Sequence, residues 1–128
     1  MAELHLDVEV GAGSRIIDAG PLFEHPWTDA GIGVDTDDTG AHLLLVSVGV
    51  CVLNVVYREA RPGIQLDGVL VRVAGDFDAE TWSTTAITYA VEIDSPEDEA
   101  TIARLLAQVD EVAEIPRVVS GEVTVGRR

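Results

Sequence analysis

The stretch HLLLVSVGVCVLNVVYREARPG, residues His42 to Gly63, decides how this chain folds. It carries the single cysteine, Cys51, inside the longest apolar run. Six valines between Val46 and Val56 favour a strand, because β-branched side chains are stiff at χ1 and suit a pleated surface. The length of the run, the DTDDTG start before it and the Pro62-Gly63 stop after it favour a helix. The polar positions decide. On a helix, Ser47, Cys51, Asn54 and Arg58 fall at i, i+4, i+7 and i+11 and form one narrow stripe on an otherwise apolar cylinder. On a strand they scatter over both faces. The spacing therefore predicts a helix buried nearly all round, with Cys51 halfway along its stripe. The run is shorter than the roughly 20 apolar residues of a bilayer crossing, so no membrane span is expected.

Upstream, LHLDVEV alternates Leu4, Leu6, Val8 and Val10 against His5, Asp7 and Glu9, the pattern of a half-buried strand. GAGS (Gly11 to Ser14) reads as a turn and RIID (Arg15 to Asp18) as the return strand of a hairpin. Residues 20–40 are loop-like, with Pro21 and Pro26 as breakers, GIGVD as a short strand at most, and Phe23 and Trp27 as anchors. Asp35, Asp37 and Asp38 suit the positive end of the central helix, where Asp38 or Thr39 is the expected N-cap.

Downstream, GVLVRVAGDFD (68–78) and TTAITYAVEID (84–94) read as strands, the second with Ile87, Tyr89, Val91 and Ile93 on one face. Ser95-Pro96-Glu97-Asp98 has capping-box spacing with proline at the first helical position. Ile102, Leu105, Leu106, Val109 and Val112 make one apolar stripe, so the second helix is amphipathic and packs on the sheet. Pro116 is expected to break it, and GEVTVG to form a last strand. The order β-β-(β)-α-β-β-α-β describes one two-layer α+β domain over residues 1–128. Its central helix is too apolar for one sheet face to satisfy, which points to a homodimer burying the other side.

Charge narrows the partners. The formal net charge is −15, from 23 acidic and 8 basic residues, and all the basic residues are arginines. Such a surface repels phosphate backbones and anionic lipid, so neither nucleic acid nor membrane is an expected partner. The absence of lysine removes Schiff-base chemistry and the P-loop lysine. One cysteine forms neither an internal disulfide nor a multi-cysteine zinc site. His5, His25 and His42 lack metal-ligand spacing, and DTDDTG departs from the EF-hand pattern at Thr39 and Val46, so no metal and no cofactor are expected. No basic segment leads into an apolar one at the start of the sequence, and the expected compartment is the cytoplasm.

The segment SVGVCVLNVVYREARPGIQLDGVLVRVAGDFD, together with AEIPRVVSGEVTV (113–125), resembles the OsmC/Ohr family of osmotically induced and organic-hydroperoxide-resistance proteins. The likeness covers Thr39 to Val125, with the N-terminal hairpin matching by topology. It implies antiparallel sheets around a buried central helix, an intertwined homodimer, and reduction of small apolar organic hydroperoxides by a thiolate. Carried over by position, Cys51 matches the peroxidatic cysteine. The resolving cysteine falls on Ile115, before the retained Pro116. The family's glutamate falls on Gly40-Ala41-His42, where no carboxylate stands. Arg15, after the first turn, resembles the activating arginine of some members. Ser47, Asn54, His42 and Ile115 are the candidate binding residues around Cys51. Without the second sulfur and the usual glutamate and arginine, the resemblance implies a divergent member without two-cysteine peroxidase turnover. The alternative is a dimeric protein on the same fold that binds a small apolar ligand or serves a structural role. If it is an enzyme, it is a single-cysteine oxidoreductase.

Overall fold

The computed structural model describes residues 3–61, 63–122 and 124–128. One five-stranded antiparallel sheet runs in the order β2-β3-β1-β4-β5. Its strands are β1 (Glu3–Gly13), β2 (Leu22–His25), β3 (Thr28–Asp35), β4 (Gly68–Asp78) and β5 (Ser83–Asp94). Helix α1 (Gly40–Ala60) sits between β3 and β4 in sequence, and α2 (Glu99–Val112) follows β5. A short helix α3 (Glu114–Arg117) and a π-type turn (Val118–Glu122) come last. The α+β class and the central helix agree with the sequence reading.

The alternation in β1 and β4 builds the helix-facing side of the sheet. Val8, Val10 and Ala12 pair across to Val73, Val71 and Val69, and all six are buried. Helix α1 lies on them, with Val48, Val52, Leu53 and Val56 buried against the sheet. Gly49 makes the close approach feasible: a Cβ there would stand 3.1 Å from methyls of both Val10 and Val73. Leu105 and Val109 of α2 complete the cluster. On the side of α1 away from the sheet, Leu43, Ser47 and Arg58 are exposed. The helix is therefore half-wrapped rather than buried all round. At 21 residues it is also longer than the apolar run suggested, and by length and composition alone it could cross a membrane.

Thr39 caps α1, its Oγ1 accepting from the His42 backbone N–H at 3.1 Å. The helix ends at Ala60 with Arg61 as C-cap, and Pro62 of the expected stop lies outside the described residues.

Four expectations at the ends of elements are corrected. Arg15 to Asp18 is not a return strand; β3 fills that place beside β1. The reason is the paired glycines Gly11 and Gly33, which leave no side chains on the outer sheet face. Arg15 and Ile17 lie over them, with Arg15 O 2.1 Å and Ile17 O 1.7 Å from where a Cβ would stand. Helix α2 begins three residues later than the capping box implied, with Asp98 as N-cap accepting from Thr101 N–H at 2.8 Å. The Ser95 hydroxyl donates to Gln65 O at 2.6 Å and accepts from Glu97 N–H at 3.1 Å, closing a bend ahead of the helix rather than capping it. Pro116 does not break α2, which stops at Val112; it sits in the first turn of α3, where a missing N–H costs nothing. GEVTVG forms no strand among its described residues: Gly121 and Glu122 belong to the π turn, residues 124–126 carry no regular structure, and Val123 lies outside them.

Candidate functional site

The polar stripe predicted along α1 forms one wall of a groove of about 380 Å³. Ser47, Val50, Cys51, Asn54, Val55 and Arg58 supply that wall, and Val112, Glu114 and Ile115 face them from the end of α2 and from α3. Helical spacing brings the four α1 residues together. Early termination of α2 and the turn into α3 bring Ile115. Cys51 is a free, half-buried thiol within this lining.

Neighbouring charge is sparse. Arg58 stands at the far end of the stripe, roughly 10 Å from Cys51 by helical rise, and its Nε donates to Glu59 at 3.1 Å. Glu114 is the groove's carboxylate. From the sheet, Tyr89 packs against the core and donates its hydroxyl to Asp110 Oδ1 of α2 at 2.5 Å. Burial, then the hydrogen bond and charge of Asp110, and last the nearby Cys51, push the Tyr89 phenol up to about 12. The hydroxyl therefore stays protonated beside the thiol. Sequence alternation places Tyr89 on the inward face of β5, but its pairing with Asp110 has no local signal.

Two sequence candidates are not in the groove. Arg15 donates through Nε to Asp94 at 2.9 Å and through Nη1 to Glu92 at 3.3 Å. Glu92 in turn accepts from Arg72, which also binds Glu9 at 2.7 Å. Glu9, Arg72 and Glu92 alternate with the buried-side positions of their strands, so this ladder occupies the sheet face opposite α1. The Arg15 hydrogen bond, with that of Ser14, holds the Asp94 carboxyl below its ordinary range. Arg15 is thus committed away from Cys51. His42 is spent at the N-terminus of α1, its Nδ1 2.5 Å from Thr39 Oγ1 and its Nε2 3.6 Å from Asp37. Its backbone N–H is the one that Thr39 caps, and its side chain does not line the groove. Ser47, Asn54 and Ile115 do line it, with Cys51. Among the described residues, no three His, Cys, Asp or Glu side chains cluster as a metal site.

The family model for OsmC-like proteins matches residues 36–126, from the approach to α1 through α3 and beyond. The chain belongs to the OsmC family. An OsmC-like hydroperoxide resistance protein from a Jannaschia species has the same fold, with a TM-score of 0.68 over 100% of this chain and 93% of that one. Identity to it is 11%, so the likeness concerns the fold. No protein of curated function matches the sequence. In this OsmC chain the cysteine-bearing helix packs on the sheet, α2 and α3 and keeps one side exposed. The cysteine itself faces the open groove rather than the sheet.

Proposed function

We propose that this is a divergent, single-cysteine OsmC-family protein whose groove takes a small apolar molecule and which does not run a two-cysteine peroxidase cycle. One observation carries this reading: Ile115 lines the same groove as Cys51, at the position where the family resemblance puts a second sulfur. A thiolate attacking an organic hydroperoxide breaks the O–O bond, becoming a sulfenic acid while the alkoxide leaves and takes a proton from water to give the alcohol. A second thiol in the same subunit would condense with that sulfenic acid, releasing water and forming a disulfide. Here Cys51 is the only cysteine, so only an external thiol can close a cycle.

The half-buried, open setting of Cys51 supports access by such a thiol and carries the second reading, a slow single-cysteine reductase. The first reading goes with an expected dimer. Leu43 on α1 and Leu22 and Phe23 on β2 are about half exposed or more, and a second copy would shield them. The expected homodimer buries well over roughly 1,000 Å². Sedimentation at micromolar concentration tests the assembly, and a stable monomer overturns it. Binding of small apolar hydroperoxides and their alcohols to wild type and Cys51→Ser tests the groove. Equal binding by both supports a ligand site, whereas binding by neither overturns it.

A further inference from the structure

The Cys51 groove has largely apolar walls and two charged side chains in its lining, Arg58 and Glu114. They are not equivalent. Arg58 donates through Nε to Glu59 at 3.1 Å, so towards a ligand the pair acts as a dipole rather than as a cation. That cancellation of charge holds even though an exposed ion pair adds little stability. Glu114 is exposed, and among the described residues its carboxylate makes no ion pair.

The surrounding chain tips the balance the same way. Asp110 and Glu111 stand in the last turn of α2, just before the lining residue Val112, and Asp110 accepts from Tyr89. Arg117 of α3 turns its Nε to Ala113 O, at the C-cap of α2, at 3.4 Å. The wall opposite α1 therefore sets Asp110, Glu111 and Glu114 against Arg117 alone, in a chain whose formal charge is −15. Apolar walls weaken screening, and a cleft of one sign repels like charge and concentrates the opposite.

We propose that the groove sorts its apolar ligands by charge, with Glu114 as the specificity-determining residue: uncharged and cationic molecules enter, and those carrying a carboxylate or another anion are turned away. This rests on the reading of the groove as a small-molecule site. The neutral end of an alcohol or alkyl hydroperoxide meets no opposing charge there. A carboxylate faces Glu114, with the lining cation already paired to Glu59.

Cys51, in the same lining, reports on that field. Two methanethiosulfonates of matched size, one bearing trimethylammonium and the other sulfonate, label a thiolate at rates that compare entry of the two charges. The thiolate fraction cancels in the ratio of those rates, so the titration of Cys51 does not enter it. Relative to the same ratio for free β-mercaptoethanol, wild type at low salt should favour the cation by about tenfold, and by less in about 0.5 M salt. Glu114→Gln should lower that preference about threefold, whereas Glu3→Gln, which removes the same charge from β1, should leave it. Hexanol should slow labelling of wild type by the neutral methyl reagent, and hexanoate should do so only in Glu114→Gln. Charge-blind labelling, a preference unmoved in Glu114→Gln, an equal loss in Glu3→Gln, or protection of wild type by hexanoate as strong as by hexanol overturns the proposal and leaves the ligand site standing. Protection by neither compound, or a Cys51 inert to all three reagents, overturns the ligand site itself, and this proposal with it.

Discussion

Cys51 on α1 and Ile115 on α3 line the same groove. The relationship sets the fate of an oxidised thiol. A sulfenic acid at Cys51 has no second cysteine in the chain to trap it, so a second hydroperoxide can react first. That second step gives a sulfinic acid and another alcohol, and it is not reversed by ordinary thiols. Wild type treated with excess organic hydroperoxide and a dithiol should consume little peroxide and accumulate sulfinic acid at Cys51, visible by mass spectrometry. Ile115→Cys should form an internal disulfide and consume peroxide repeatedly. Rapid turnover by the wild type, lost in Cys51→Ser, would overturn the proposed function.

The parts of this fold that were legible in the sequence are those fixed by local periodicity. Valines at alternate positions in β1 and β4 and the i, i+4, i+7, i+11 stripe on α1 follow from side-chain direction alone, and the groove wall followed with them. The opposite wall was legible only as a family position, Ile115. What escaped depends on distant partners. Arg15 to Asp18 lie over the Gly11–Gly33 pair because two strands remote in sequence put glycines side by side. Ser95 looked like a cap, but its bonds to Gln65 O and from Glu97 N–H close a bend ahead of the helix, and the Glu97 carboxylate accepts from Gln65 N–H at 3.0 Å. The next competent cap, Asp98, then starts the helix. No local pattern placed His25 against α1.

Gly49 is where the helix and sheet come closest. A bulky side chain there must displace Val10 and Val73, both fully buried and packed on all sides. Gly49→Leu should cost about 3 kcal/mol through overpacking, against a helix-propensity gain of about 1 kcal/mol. Urea unfolding measures the difference. A variant as stable as wild type would mean that α1 does not seat on the sheet at this point.

Thr39 holds the other end of the same helix. Removing its hydroxyl leaves the His42 N–H without its acceptor and frees the His42 ring. Thr39→Ala should cost about 1 kcal/mol and leave Cys51 alkylation unchanged, because the cap is more than two turns from the thiol. Altered alkylation would show that the cap and the groove are coupled.

Tyr89 gives an alkaline signature. Its phenol is raised from 10.0 to about 12, first by burial and then by Asp110. The folded state therefore binds this proton more tightly than the unfolded chain. The stability it contributes is fully present below about pH 10 and is lost as pH rises through the folded value. Ultraviolet titration should show one tyrosine ionising near 12, absent in Tyr89→Phe. Asp110→Asn should lower that midpoint, and an unmoved midpoint would remove Asp110 from the pairing.

His25 gives an acid signature of opposite sense. Burial lowers it below its ordinary 6.5, and the Asn54 side chain opposes that in part. A buried base with a lowered value is protonated more readily in the unfolded chain, so stability is full above about pH 6.5 and falls as pH drops toward the folded value. His5 works the other way: its hydrogen bond to Asp76 and the charge of Asp7 raise it, so its contribution is present below 6.5 and is lost as pH rises past the folded value. The two slopes overlap near 6.5, so the comparison is made in a His5→Gln background. There, urea midpoints should decline between about pH 6.5 and pH 5, and adding His25→Phe should flatten the decline. An equally steep decline without His25 would place the acid sensitivity in another group, and not in Asp94, whose lowered carboxyl takes up its proton below this window.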